Sequence, residues 1–279
     1  MPKKDHSLSQ LYDHLSRFTI WIKRFSAFGK LTLTMHKRLQ IPPELTDGYR
    51  GREASEFIND LTLKKAGLQE NQRILDAGCG FGGTIFRWLE SQKGYYTGYT
   101  LSPYQHKIAS REARRRQLTD YCRFQVRNFE EPLKEKFDVI VAIESLLHAN
   151  ELKLTMNNFR EGLVPGGKII IVDDVYHQGN PRADIDVRKL MKNWFLPGLW
   201  TRKDYMNGFR ESGLRIVEET DLTGLVPVWS RNRLKVYIHF LEWISRIMPR
   251  GSLKLLMEAH LGGFRLQRLY SHKKMKYLL

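Results

Sequence analysis

Only two cysteines, Cys79 and Cys122, occur in 279 residues. Two thiols make neither a disulfide framework nor a cysteine-rich zinc site, and they fit a reducing compartment. Long apolar runs are missing too. No stretch reaches the roughly 20 apolar residues that span a bilayer, and the opening MPKKDHSLSQ leads into no signal-peptide core. The expectation is a cytoplasmic, non-integral protein. The histidines lack HxxxH or HExxH spacing, so no metal is expected in the chemistry.

Acidic residues are the minority charge, 30 against 46 basic, for a net +16. With 42% hydrophobic and 27% charged residues, the chain is no disordered polyelectrolyte, fibre or multi-span membrane protein. The excess sits at the ends. Residues 1–40 hold eight Lys/Arg against two Asp, and residues 229–279 hold eleven against two Glu, which leaves the middle near neutral. Basic ends around a neutral core disfavour a nucleic-acid partner. Both ends also carry apolar residues at helical spacing, as in Leu8, Leu11, Tyr12, Leu15, Phe18 and Ile22, and in LKVYIHFLEWISRIMP. Such helices suit a cap over a greasy substrate or peripheral contact with a membrane; packing on the core with solvated lysines outside is the alternative. Whether the chain forms a homo-oligomer stays open.

From residue 70 onward strand and helix patterns alternate, which predicts an α/β fold with a parallel sheet covered on both faces. RILDAG, YYTGYT, YCRFQVRN, FDVIVAIE and KIIIVDDV read as five strands, LRIVEET as a sixth and KMKYLL as a seventh. Ser102 and Pro103 open the helix after the second strand as N-cap and first residue. Between strands six and seven lies a helical insertion at about 228–262, expected to close over a ligand together with an N-terminal helical segment, 1–45. The main domain is then 46–279.

LDAGCGFGG follows a strand and opens a helix, the setting of a nucleotide-binding glycine loop. Gly78 and Gly80 let a ligand lie against the strand end. Asp76 precedes the glycines, which favours a ligand with a cationic amino-acid end over a pyrophosphate. The loop resembles motif I of the class I S-adenosylmethionine (SAM) dependent methyltransferases, and LVPGGKIIIVDD resembles their segment into the fifth strand. GYTLSPYQ and AIESLLHA are similar to the subgroup holding tocopherol, sterol, cyclopropane-fatty-acid and bacterial terpenoid C-methyltransferases. The resemblance covers about residues 45–220 and implies a Rossmann-like sheet of seven strands with SAM as cofactor.

Carried over position by position, the resemblance places Asp76, Gly78 and Gly80 at the methionine and ribose part of SAM, and Thr100, Leu101 and Gln105 around the ribose. Asn128 and Phe129 would meet the adenine, Tyr49 and Arg50 would fold over the cofactor, and Glu144 would approach both sulfonium and acceptor. Thr100 stands where many class I enzymes have an acid, a feature shared by this subgroup. Asp76 as a mere cap of the loop, Phe129 as core and Arg50 paired with Glu53 or Glu56 are the structural alternatives.

Methyl transfer from a sulfonium needs alignment, exclusion of water and removal of a proton where one is lost. Glu144 and His148, four residues apart in ESLLHAN, are the candidate catalytic pair; they stack if that stretch is helical. Burial is expected to raise the Glu144 pKa, so that it acts as a base or stabilises a developing cation. Methylating a carbon–carbon double bond makes a carbocation, and aromatic faces stabilise cations. Trp194, Trp200, Tyr205, Trp229 and Tyr237 are therefore the expected substrate pocket, while Arg182, Arg188, Lys189, Arg231 and Arg233 suit a diphosphate or phospholipid head. The reading is a SAM-dependent methyltransferase of a small lipophilic molecule, at an isoprenoid or terpenoid carbon. O- or N-methylation of a polycyclic or alkaloid metabolite is one alternative; a non-catalytic SAM-fold module binding membrane or RNA is another.

Overall fold

The computed structural model describes residues 9–10, 12–14, 16–17, 33–34, 36–37, 39–41, 54–249 and 251–279. Five strands, β1 (Arg73–Ala77), β2 (Tyr95–Thr100), β3 (Cys122–Val126), β4 (Phe137–Ile143) and β5 (Leu163–Tyr176), run parallel. A sixth, β6 (Met275–Leu278), pairs antiparallel with β5, giving the order β3-β2-β1-β4-β5-β6. The order turns at β1 and β4, and in open α/β sheets the crevice beyond the strand ends at such a switch is where ligands bind.

Alternation along the strands fills two cores. Ile74, Val139, Val141, Ile170 and Val172 face helices α1 (Phe57–Ala66), α2 (Gly83–Leu89), α3 (Pro103–Arg115), α5 (Ile185–Trp194) and α8 (Ser252–Ser271). Leu75, Ala77, Ile140 and Ala142 face α4 (Leu152–Gly162) and α6 (Arg202–Glu211). Being apolar on both faces is what a doubly covered parallel sheet requires. Local chemistry sets the helix starts. Ser102 accepts from Gln105 N with Pro103 at the first position of α3, and Thr201 with Asp204 forms a capping box on α6.

Two expectations are corrected. LRIVEET forms no strand, so the sheet of described residues has six strands. β6 occupies the place beside β5, and only Thr220–Leu222 hydrogen-bonds to its outer edge, through Thr220 N to Leu279 O and Leu222 N to Tyr277 O. Before that point the segment lies at the surface, with Val217 86% exposed. The helical insertion is also longer than 228–262. It is two helices, α7 (Arg231–Ile247) and α8, and α8 runs to Ser271, with three residues between it and β6.

Helix α8 meets the end of α5 closely at Gly262. A Cβ there would lie 2.3 Å from Trp194 Nε1, whose N–H donates to Ala259 O at 2.7 Å. Gly262→Ala is expected to displace that indole, break the bond and cost about 1–3 kcal/mol by overpacking, read as a lower urea midpoint at unchanged slope.

Candidate functional site

The glycine loop is fixed by backbone bonds: Gly78 N and Cys79 N both donate to Tyr99 O, at 3.0 and 2.8 Å. Gly78 has φ 103°, and a Cβ there would sit 2.4 Å from Ser145 Cβ. The Ser145 hydroxyl donates to Ala77 O at 2.6 Å, so the loops after β1 and β4 interlock and tolerate no side chain at Gly78. Cys79 is buried beside Gly98, and burial pushes its thiol well above the ordinary range, which makes it a filler of tight space and not a nucleophile.

A cavity of about 260 Å³ opens beside this loop. Its lining joins Gly78, Gly80, Thr100, Leu101, Gln105, Phe129, Glu144 and His148, all singled out from sequence. Asp76 lies buried at the end of β1, outside that lining. Its Oδ2 has no hydrogen-bond partner among the described residues, and burial pushes its carboxyl up to about 7. Asn128 lies just behind the wall, where its Oδ1 accepts from Glu130 N. Tyr49 and Arg50 fall outside the described residues.

The N-terminal segment supplies another wall, through Tyr12, Ser16, Leu33, Thr34 and His36. Ser16 Oγ accepts from Gln105 Nε2 at 3.1 Å, Thr100 Oγ1 donates to Gln105 Oε1 at 2.7 Å, and Asp13 takes bonds from Ser102 Oγ and Tyr104 N. The Tyr12 hydroxyl and His148 Nε2 share a 2.5 Å bond. Burial lowers His148 to about 4, so the ring is neutral at pH 7, and its Nδ1 has no partner among the described residues.

Glu144 adopts a left-handed backbone, φ 52°, uncommon outside glycine and asparagine, while its N–H extends the ladder to Val172 O at 2.7 Å. Leu146–His148 is a single 3-10 turn, so Glu144 and His148 do not stack on one helix face; they line the same cavity from two sides of a bend. The expected rise in the Glu144 pKa is overturned. Burial pushes it up, but Lys37, His36 and the Tyr277 hydroxyl outweigh that and hold the carboxyl below its ordinary value. Lys37 N and Nζ and the Tyr277 hydroxyl converge on Oε1, at 3.3, 3.2 and 2.7 Å, and among the described residues Oε2 takes no bond.

Lys37 is the largest element the sequence did not flag. Its ammonium also reaches Asp174 Oδ2 at 2.6 Å and lies 4.8 Å from the centre of the Tyr277 ring. Burial pulls its pKa down, but Asp174 and Glu144 more than offset this and keep it charged. Lys37→Met is expected to cost about 3 kcal/mol, because two buried carboxylates lose their cation. Glu144 titrates low in the fold, so its contribution to stability is complete above its ordinary pKa and lost as pH falls through the depressed one. Unfolding titrations between pH 7 and 3 should show that acid-side loss shrink in the variant.

The five aromatic residues expected around substrate do not line the cavity. Trp200 Nε1 donates to Leu146 O and Tyr205 donates to Asp173 Oδ2, so both brace the loop after β4 from behind. Trp194 is tied to α8. Trp229 and Tyr237 pack with Phe264 in a separate cluster. Nor do the five basic candidates reach it. Arg188 donates to the carbonyls of Arg182 and Ala183, Lys189 pairs with Glu242, Arg231 donates to Ser271 O and Arg233 covers the Trp229 ring.

Residues 75–169 match the family described as a methyltransferase domain. O-methyltransferase cnsE of Penicillium expansum is 27% identical over 177 residues, 61% of this chain and 63% of that protein. 24-Methylenesterol C-methyltransferase 3 of Arabidopsis thaliana is 26% identical over 197 residues, 68% of this chain and 54% of that protein. The chain thus spans less than two thirds of the length of either relative. Among solved structures, a geranyl diphosphate methyltransferase determined with GPP and sinefungin superposes with a TM-score of 0.73 at 17% identity, over 99% of this chain and 97% of that one. The interlocked glycine loop, the parallel sheet with its antiparallel last strand and the family match agree: residues 75–169 carry a methyltransferase domain, and the chain is similar to the class I SAM-dependent methyltransferases.

Proposed function

We propose that the protein transfers a methyl group from SAM to a carbon of a small lipophilic, isoprenoid-like acceptor. The observation that carries this reading is the cavity beside the glycine loop, with Asp76 buried behind that loop and unpartnered at Oδ2, and with Glu144 in the cavity wall, ionised and open at Oε2. The residues fit SAM. Asp76 offers an acceptor to the amino-acid ammonium, Gly78 and Gly80 leave room for its backbone-close part, Thr100 and Gln105 offer polar atoms to the ribose, and Phe129 gives an aromatic wall to the adenine. When bound, SAM supplies an activated methyl on a sulfonium.

The electrostatics favour carbon over oxygen as the methylated atom. A hydroxyl acceptor needs a competent base, and the two candidates are weak ones: Glu144 is held low by Lys37, and His148 is lowered to about 4 by burial. A carbocation formed by methylating an olefin is itself so acidic that a weak carboxylate suffices to take its proton. Until then a fixed negative charge beside it stabilises it. Leu33, Phe81, Tyr99, Phe129 and Ile143 make much of the cavity wall apolar.

The test uses methyl-labelled SAM with prenyl diphosphates, uncharged terpenoids, prenylated quinols and polycyclic phenols. Label in an olefinic product carrying a new carbon–methyl bond supports the reading. Label confined to phenol oxygens overturns the choice of atom, and no label from any acceptor while SAM binds supports a binding-only module.

A further inference from the structure

Helix α7 gives one face to the fold, where Leu234, Ile238 and Leu241 pack against Leu261 and Phe264 of α8. Its opposite face is apolar and uncovered. Val236, Phe240, Trp243 and Ile247, at spacings i, i+4, i+7 and i+11, form one row and are 69, 52, 58 and 65% exposed. Tyr237 is 42% exposed beside it. A contiguous exposed row of this size marks an interaction surface, whereas isolated exposed apolar residues do not.

The charges beside the row are of one sign. Lys235, His239 and Arg246, at i, i+4 and i+11, run along one flank, and Arg233 sits at the N-terminal end over the Trp229 ring. Lys235, Arg233 and Arg246 form no ion pair among the described residues. The one acid of α7, Glu242, is turned to Lys189 and Arg265. No described helix is long and apolar enough to cross a membrane, so a membrane would be met flat.

We propose that α7 seats the protein on the surface of an anionic lipid bilayer, with Val236, Phe240, Trp243 and Ile247 at the boundary of headgroups and acyl chains and Lys235, His239 and Arg246 among the anionic headgroups. Aromatic residues beside cations on an otherwise apolar helix face have the composition of such an interface. A second copy of the chain is the poorer occupant. It would bring a like-charged flank against a like-charged flank, with the one acid of α7 already paired to Lys189 and Arg265, in a protein of net charge +16. The proposal stands independently of which acceptor is methylated.

Flotation of the full chain with vesicles tests it. Binding is expected to vesicles of phosphatidylcholine with one part in about three of phosphatidylglycerol, falling with added salt, and not to phosphatidylcholine alone. Phe240→Ser with Trp243→Ser should weaken partitioning roughly tenfold or more. Lys235→Glu with Arg246→Glu should weaken it about fivefold for each cation removed. Both pairs replace exposed side chains, and unchanged circular dichroism and SAM binding would show the fold intact. Absence of binding to anionic vesicles, binding that both pairs leave unchanged, or a concentration-dependent dimer that Trp243→Ser dissolves would overturn the proposal, the last by assigning the row to a second copy.

Discussion

Glu144→Gln is expected to lower kcat by about 10²- to 10³-fold while leaving the affinity for SAM unchanged. Glutamine keeps the shape, and its oxygen still accepts the Tyr277 hydroxyl, which donates at 2.7 Å in the native protein. What it loses is the charge and the ability to take a proton through Oε2. Lys37 keeps its second anchor at Asp174, so the wall stays in place and unchanged circular dichroism should separate a chemical loss from a structural one. Kinetics with saturating SAM and an olefinic acceptor are the measurement. A fall in kcat with KM for the acceptor little changed assigns Glu144 to the transition state; rates within about threefold of native would remove it from the chemistry. His148→Gln offers a contrast. Its bond to Tyr12 ties two walls of the cavity together, so the expected effect is a raised acceptor KM with a smaller loss of kcat.

Which parts of this site were legible in the sequence follows from how far each contact reaches along the chain. Gly78 and Gly80 were readable because a strand, a tight loop and a helix start are local. The same holds for Thr100, Ser102 and Gln105, which bond within five residues of one another. Lys37 was not readable. Its partners lie 107 and 137 residues away, and nothing around it is periodic. Because Lys37 was missed, the direction of the Glu144 shift was also wrong: burial alone raises a carboxyl, and only the unforeseen ammonium reverses it. Aromatic residues misled for a different reason. Trp194 and Trp229 are as fit for helix packing as for a pocket, and composition carries no direction. LRIVEET has the β-branched pattern of a strand, but β6 holds the place beside β5, and of LRIVEET only its last residue, Thr220, bonds at the outer edge.

The affinity for SAM is expected to fall about tenfold between pH 8 and pH 6. The reason is Asp76, buried with Oδ2 unpartnered and a carboxyl pushed up to about 7. An ammonium ligand needs the carboxylate, so protonation competes with binding, and the apparent dissociation constant rises once pH drops below that value. The ammonium of SAM loses its own proton toward pH 8, which weakens binding at that end, so a fall in affinity toward pH 6 reports the protein group. Calorimetric titrations at half-unit steps measure it, with proton release expected below pH 7 as binding drives Asp76 to its charged form. Asp76→Asn should abolish the slope and leave the affinity at or below the native low-pH value at every pH. If native binding is flat from pH 8 to 6, Asp76 does not meet the ammonium and only caps the loop. The sign is opposite for the fold itself: burying a carboxylate that prefers its proton costs stability progressively as pH rises from about 4 to 7, the range over which the unfolded chain would be ionised and the folded one not. That cost is relieved when a cation fills the site, so the gain in thermal stability from added SAM should be larger at pH 8 than at pH 6, and Asp76→Asn should make the two gains equal.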